Sequence, residues 1–237
     1  GSQSRVSTVA LIPAHDEATR IASTVTATRA VPGIDRVVVV DDGSTDQTPR
    51  LAGEAGAEVI QLERNRGKGA ALQAGLDTVA AEADVIVLLD ADLGDTAAEA
   101  QHLLAPLADG SADMTVAIFP APTARAGFGL VLGLARWGIR ALSGFESTAP
   151  LSGQRALTRE AWRAGTPFAP GFGVEVALSV RVRRAGLRIA EVPLEMAHAP
   201  TGRDLAGFAH RGLQFLAVSR TLAVLALERY SSTRSGG

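Results

Sequence analysis

The stretch Asp84-Val-Ile-Val-Leu-Leu-Asp-Ala-Asp-Leu93 decides the reading of the fold. A continuous apolar run stops abruptly at two carboxylates, Asp90 and Asp92, one residue apart. An apolar run without polar alternation reads as a strand buried on both faces, as in a parallel sheet. Its end is then the carboxyl edge of that sheet, where open α/β folds bind ligands. Two carboxylates there lose solvation unless a cation or hydrogen-bond donors meet them. A divalent metal carrying a diphosphate meets that need; a strand end with two solvated acids is the plainer alternative.

Outward from this stretch, the first half alternates. Strand-like runs at Val9–Ile12, Arg36–Val40, Glu58–Leu62, Val85–Leu89 and Met114–Ile118 are separated by helix-like segments at about Glu17–Arg29, Thr45–Ala55, Lys68–Glu82 and Thr96–Ala108. Such alternation predicts an α/β fold, a mostly parallel sheet flanked by helices. Ser44 or Thr45 is the expected N-cap of the second helix, and Gly56 its stop. The second half is less regular. After a Pro/Ala/Gly-rich stretch come helical segments at about Leu130–Ser143, Glu160–Ala164 and Val174–Ala185, a strand at Arg188–Val192, and a long helical pattern at Leu205–Glu228. No repeat and no second core is visible, so a single domain is expected over residues 1–237, in two parts (3–118 and 119–230), with 231–237 a disordered tail.

Composition narrows the classes. The chain has 237 residues, 46% of them hydrophobic, enough for one sizeable core. A formal net charge of -2 argues against nucleic acid as a partner. The absence of cysteine excludes disulfides, thiol catalysis and Cys-ligated zinc. No secretory leader and no bilayer-spanning apolar run are apparent, and the expectation is a cytoplasmic protein. Lys68 is the only lysine, and no Phe, Trp or Tyr precedes Phe119.

Each early strand ends in polar residues suited to a nucleotide: Pro13-Ala-His-Asp-Glu17, Asp41-Asp-Gly-Ser-Thr-Asp46, Arg64-Asn-Arg-Gly-Lys-Gly69 and Asp90-Ala-Asp92. In a parallel sheet these ends share one edge, so the motifs converge. Asp41 or Asp42 can accept hydrogen bonds from a base or ribose. Lys68, between two glycines at a predicted helix start, sits where an anion is favoured. Neither a Walker A loop nor a Gly-x-Gly-x-x-Gly after the first strand is present.

Read together, these residues resemble the family 2 glycosyltransferases with the GT-A, Rossmann-like fold. The resemblance implies a nucleotide-sugar donor (a UDP- or GDP-sugar) and Asp90-Ala-Asp92 as the metal-bearing Asp-x-Asp motif. It implies that residues 3–118 form the nucleotide-sugar half, with Pro13, Ala14, Asp16, Glu17, Asp41, Asp42, Lys68, Asp90, Ala91 and Arg203 around the donor. Leu151-Ser-Gly-Gln-Arg-Ala-Leu-Thr158 is similar to the acceptor loop of polyprenyl-phosphate glycosyltransferases and glucosyl-3-phosphoglycerate synthases, which implies acceptor contacts from Ser152, Gly153, Arg155 and Thr158 within residues 119–230. Pro167 to Val176 is similar to the latter enzymes, and His198 matches a histidine that completes their metal shell. Mg²⁺ or Mn²⁺ on Asp92 and His198 follows, with Asp90 on ribose or a metal-bound water. Glu175 is a general base or only orients the acceptor. The implied activity is metal-dependent transfer of a sugar to a phosphate-bearing acceptor, 3-phosphoglycerate-like or polyprenyl phosphate. Its alternatives are a non-catalytic nucleotide-sugar-binding protein and a sugar nucleotidyltransferase. The apolar segment Phe128–Leu142, broken by Arg136 and Arg140, reads as a core or homodimer helix, or as a peripheral membrane contact.

Overall fold

The computed structural model describes residues 6–120, 128–198 and 205–234. Seven strands form one sheet: β1 (Thr8–Ala14), β2 (Arg36–Asp41), β3 (Glu58–Gln61), β4 (Val85–Leu88), β5 (Met114–Ile118), β6 (Arg155–Thr158) and β7 (Ile189–Pro193), in the order β3-β2-β1-β4-β6-β5-β7. All pairings are parallel except those of β6, which runs antiparallel to both β4 and β5.

The apolar runs are explained by what covers each face. In β1, Val9 and Leu11 point into one core with Val38, Val40, Ile86 and Leu88. Ala10 and Ile12 point into the other with Val37, Val39, Val87 and Leu89. Successive side chains of a strand alternate faces, so a strand covered on both sides is apolar at nearly every position. One face is covered by α3 (Lys68–Val79), α6 (Arg159–Gly165) and α7 (Val174–Arg184). The other carries α1 (Ile21–Arg29), α2 (Thr48–Glu54), a 3-10 segment at Gly94–Ala100 and α4 (Gln101–Ala108). A third cluster lies outside α7, where α5 (Phe128–Ser143) and α8 (Leu205–Arg234) pack upon it.

Several local expectations are corrected. Residues 155–158, read as part of a loop, form β6. The second helix starts at Thr48 without a side-chain cap. Ser44 and Thr45 instead bond to residue 16, Ser44 Oγ accepting from the Asp16 N–H at 2.9 Å and the Thr45 N–H donating to Asp16 Oδ1 at 2.8 Å. The stop at Gly56 has its positive φ of 99°. The tail expected from Ser231 is helical as far as Arg234.

The carboxyl ends of β1, β2 and β4 are in register at one edge, Ala14 pairing Asp41 and Leu11 pairing Leu88. The α3 start is pressed onto the loop before α7: a Cβ on Gly69 would stand 1.9 Å from the Ala169 carbonyl oxygen. Gly69→Ala is therefore expected to destabilise the fold by about 1–3 kcal/mol in urea unfolding. Gly133→Ala, on α5 with open space around it, is expected to be neutral or to stabilise by up to about 1 kcal/mol.

Candidate active site

A cavity of about 680 Å³ opens at this sheet edge. Pro13, Ala14, His15 and Glu17 reach it from the end of β1, Asp42 from β2, Asn65, Gly67 and Lys68 from the α3 start, and Asp90, Ala91 and Asp92 from the end of β4. Leu151, Phe172, Glu175 and His198 come from the second half, with Val131 of α5 and Gln214 and Val218 of α8 on the far wall. Five carboxylates thus face one lysine among the lining residues.

Lys68 joins the two halves. Its Nζ lies 2.8 Å from Asp90 Oδ1 and 2.6 Å from Glu175 Oε1. Burial alone would lower its pKa, but Asp90 and Glu175 outweigh that and raise it above the ordinary lysine value. Burial likewise pushes Asp90 up, and Lys68, His198 and Gln154 together hold it below the usual carboxylate range. Gln154, fully buried, grips the same residue twice: its Oε1 accepts from the Asp90 N–H at 2.7 Å, and its Nε2 donates to Asp90 Oδ2 at 2.6 Å. Gly153 admits this arrangement, because a Cβ there would stand 2.5 Å from Lys68 Nζ.

Asp90, Asp92 and His198 each offer a ligand atom within 4.8 Å of the others. His198 Nδ1 is 2.9 Å from Asp92 Oδ1, and its Nε2 is 3.9 Å from Asp90 Oδ2. Phe119, one residue past β5, packs tilted on the His198 ring at 4.9 Å between centroids. Burial lowers the His198 pKa, but the Asp92 hydrogen bond and the two carboxylates override it and the net shift is upward. The carboxylates therefore draw a proton to a point a cation can take over. Two carboxylates and one imidazole suit Mn²⁺ or Mg²⁺. Glu17 completes the acidic floor: burial, then Asp92, Asp90 and Asp46, push its carboxyl up.

Other expected site residues are committed elsewhere. Asp42 lines the cavity, but its two oxygens accept the Arg66 and Gly67 N–H groups at 2.7 and 2.9 Å and so shape the loop that delivers Lys68. Asp16, at a positive φ of 51°, faces the Thr45 loop rather than the cavity. Asp41 is buried, with Oδ2 accepting from the Ser44 N–H at 3.3 Å and Oδ1 without a hydrogen-bond partner. Arg155 is not an acceptor contact. It is wholly buried beneath the site, where it donates to the Ser152 and Pro150 carbonyls and Ser179 Oγ. Burial draws its pKa down to about 10 against the pull of Glu175 and Glu191. Thr158 pairs with Val85 at the opposite end of β4 and caps α6, which removes it from the acceptor. Ser152 has a buried hydroxyl outside the cavity lining. Arg203 lies outside the described residues. Sequence reasoning missed Gln154, whose only signal was its position inside the loop that carries Gly153.

Comparison with known proteins places the chain among glycosyltransferases. The family model "Glycosyl transferase family 2" matches residues 9–129. Glycosyltransferase AglJ of Haloferax volcanii is 32% identical over 205 residues, covering 82% of this chain and 64% of that protein. A glucosyl-3-phosphoglycerate synthase of Mycolicibacterium paratuberculosis is 34% identical over 215 residues, covering 78% and 63%. The chain thus spans just under two thirds of the length of these curated relatives. Among solved structures, glucosyl-3-phosphoglycerate synthase from Mycobacterium tuberculosis in complex with Mn²⁺, uridine diphosphate and phosphoglyceric acid superposes with a TM-score of 0.77 at 30% identity, over 93% of this chain and 78% of that one.

The Lys68 bridge sets one expectation. Lys68→Met leaves Asp90 and Glu175 facing each other without their cation and should cost about 3–5 kcal/mol in urea unfolding. Adding Glu175→Gln should recover part of that loss, a coupling read from the double-mutant cycle. The family model, the relatives' identity and the shared fold agree, and the chain belongs to glycosyl transferase family 2.

Proposed function

We propose that this chain transfers a sugar from a nucleotide-sugar donor to a phosphate-bearing acceptor with the help of Mn²⁺ or Mg²⁺. The observation that carries the reading is the charge of the cavity: a nucleoside diphosphate cannot enter a pocket with Glu17, Asp42, Asp90, Asp92 and Glu175 on its wall unless a cation comes with it. Asp92 and His198 are the residues that would hold the cation, with Asp90 beside them. When bound, the metal supplies charge neutralisation of the departing diphosphate.

The remaining roles belong to side chains. Pro13, Ala14, Glu17 and Ala91 line the donor end. Asp41, through its unpartnered Oδ1, is the acceptor for a base N–H. The solved relative that holds uridine diphosphate supports a UDP-sugar over a GDP-sugar. Lys68 holds Glu175 in place at the entrance of the second half. There the carboxylate orients the acceptor and the incoming sugar. A phosphate acceptor arrives already ionised, so no general base is required of Glu175.

Two acceptors stay in view. The phosphoglyceric acid in the solved relative supports a small phosphorylated acid. The apolar far wall of Val131, Leu151, Phe172 and Val218 supports a phosphate carrying an apolar chain. A sugar nucleotidyltransferase is disfavoured by the acidic Pro13–Glu17 loop.

Uridine diphosphate with Mn²⁺ is expected to raise the melting temperature by mass action, with guanosine diphosphate a weaker ligand. Asp92→Asn should abolish the Mn²⁺-dependent part of that shift and lower turnover by about 10²–10³-fold or more. A full shift and full turnover in Asp92→Asn would falsify the metal role. Gln154→Leu leaves the Asp90 carboxylate without one of its anchors. It should lower turnover by about 10–100-fold, the range seen when groups that orient metal-site residues are removed.

A further inference from the structure

The two helices that wall the far side of the cavity have a second apolar face. α5 turns Val131, Ala135 and Ile139, and α8 turns Val218, Leu222 and Leu225, onto Val176, Ala177 and Val180 of α7. Both helices lie on the same underlying helix, so their opposite faces share one outer surface. Of the eight large hydrophobic side chains exposed among the described residues, seven stand on these two helices. Leu130 and Trp137 of α5 are 74% and 67% exposed; Leu213, Leu216, Val224 and Leu227 of α8 are between 52% and 70% exposed. A helix apolar on both sides is one that buries both. α7 accounts for one side, and an exposed patch of this kind marks a contact surface.

Charge identifies the occupant. Residues 128–143 and 205–234 contain six arginines (Arg136, Arg140, Arg211, Arg220, Arg229 and Arg234) and one acid, Glu228. That is a formal +5 in a chain of net -2, which leaves -7 for the rest (17 basic residues against 24 acidic). Glu228 is held by Arg181, 2.5 Å away, and Glu146, beside the end of α5, pairs with Arg140 at 3.5 Å. Arg220 lies within the stripe, one helical turn from both Leu216 and Val224. In a two-fold contact between copies, Arg220 inside this stripe would meet an apolar surface whose one acid, Glu228, is already taken by Arg181, and an unmet charge in an interface is penalised. A bilayer containing anionic lipids satisfies both features: Leu and Trp enter the interfacial region and the guanidinium groups meet lipid phosphates.

We propose that the outer face of α5 and α8 docks on an anionic membrane surface and binds it peripherally. No helix among the described residues is long and apolar enough to cross a membrane, so the contact is interfacial. The proposal does not depend on the sugar-transfer reading, since the exposed stripe lies outside the cavity.

The test is co-sedimentation of the full chain with phosphatidylcholine vesicles, with and without phosphatidylglycerol. The protein is expected to pellet with the anionic vesicles, less with neutral ones, and less as salt rises. Arg220→Glu and Leu216→Glu should each weaken partitioning by at least about tenfold, while far-UV circular dichroism and thermal unfolding stay as in the parent. A protein that stays in the supernatant with anionic vesicles at low salt overturns the proposal. So does a stable dimer in sedimentation velocity that Leu216→Glu splits without altering vesicle binding.

Discussion

The bridge that Lys68 makes between Asp90 and Glu175 is the interaction on which the site depends. It joins the start of α3, the end of β4 and the start of α7 at one atom. A buried ion pair is costly unless its geometry is good and its remaining valences are met. Here Gln154 meets those of Asp90 through both of its amide atoms. The cation must also be compact. With Nζ 2.5 Å from where a Cβ of residue 153 would stand, there is no room for the broad planar fork of an arginine. A chain that otherwise uses arginine throughout places its one lysine here, and a packing constraint accounts for it.

The loops around the bridge are built by carboxylates acting on backbone rather than on a ligand. Asp42 receives two N–H groups of the β3–α3 connection, and Asp16 receives the N–H of Thr45. Gly43 is needed for the same reason, since a Cβ there would sit 2.5 Å from the Asn65 N atom. Pre-organised loops of this sort let the ligand-facing atoms hold their positions without reorganisation. The acidity of the strand ends therefore serves two purposes, and only some of those acids are free to face a ligand.

Sequence patterning showed the first half well because its strands are buried on both sides, and an uninterrupted apolar run such as Val37–Val40 has few other readings. It showed the edge chemistry for the same reason: the polar residue that ends each run marks the sheet edge. It failed at β6, where Arg155 sits at a fully buried position. A charged residue inside a four-residue strand reads as loop, and its burial becomes intelligible only when Ser152, Pro150 and Ser179 are seen to take its donors. It gave α8 as a helix but did not say which of its apolar residues are covered. Leu213 and Leu216 fit the helical spacing of a core face as well as Leu222 and Leu225 do, yet they stand on the opposite side. Periodicity reports which residues share a face; the neighbouring layer decides which faces are covered.

The Asp90–Ala–Asp92 pair illustrates the limit from the other side. In sequence the two acids look equivalent, but β4 ends at Leu88 and the partners of each acid differ. Asp90 Oδ1 is engaged by Lys68 and Oδ2 by Gln154, so its charge is largely balanced by protein. Asp92 Oδ1 is turned to His198, whose imidazole can exchange a proton for a cation. Asp90 is thus the more firmly held of the two, fixed by Lys68 and Gln154, while Asp92 meets His198 beside Glu17 at the cavity floor.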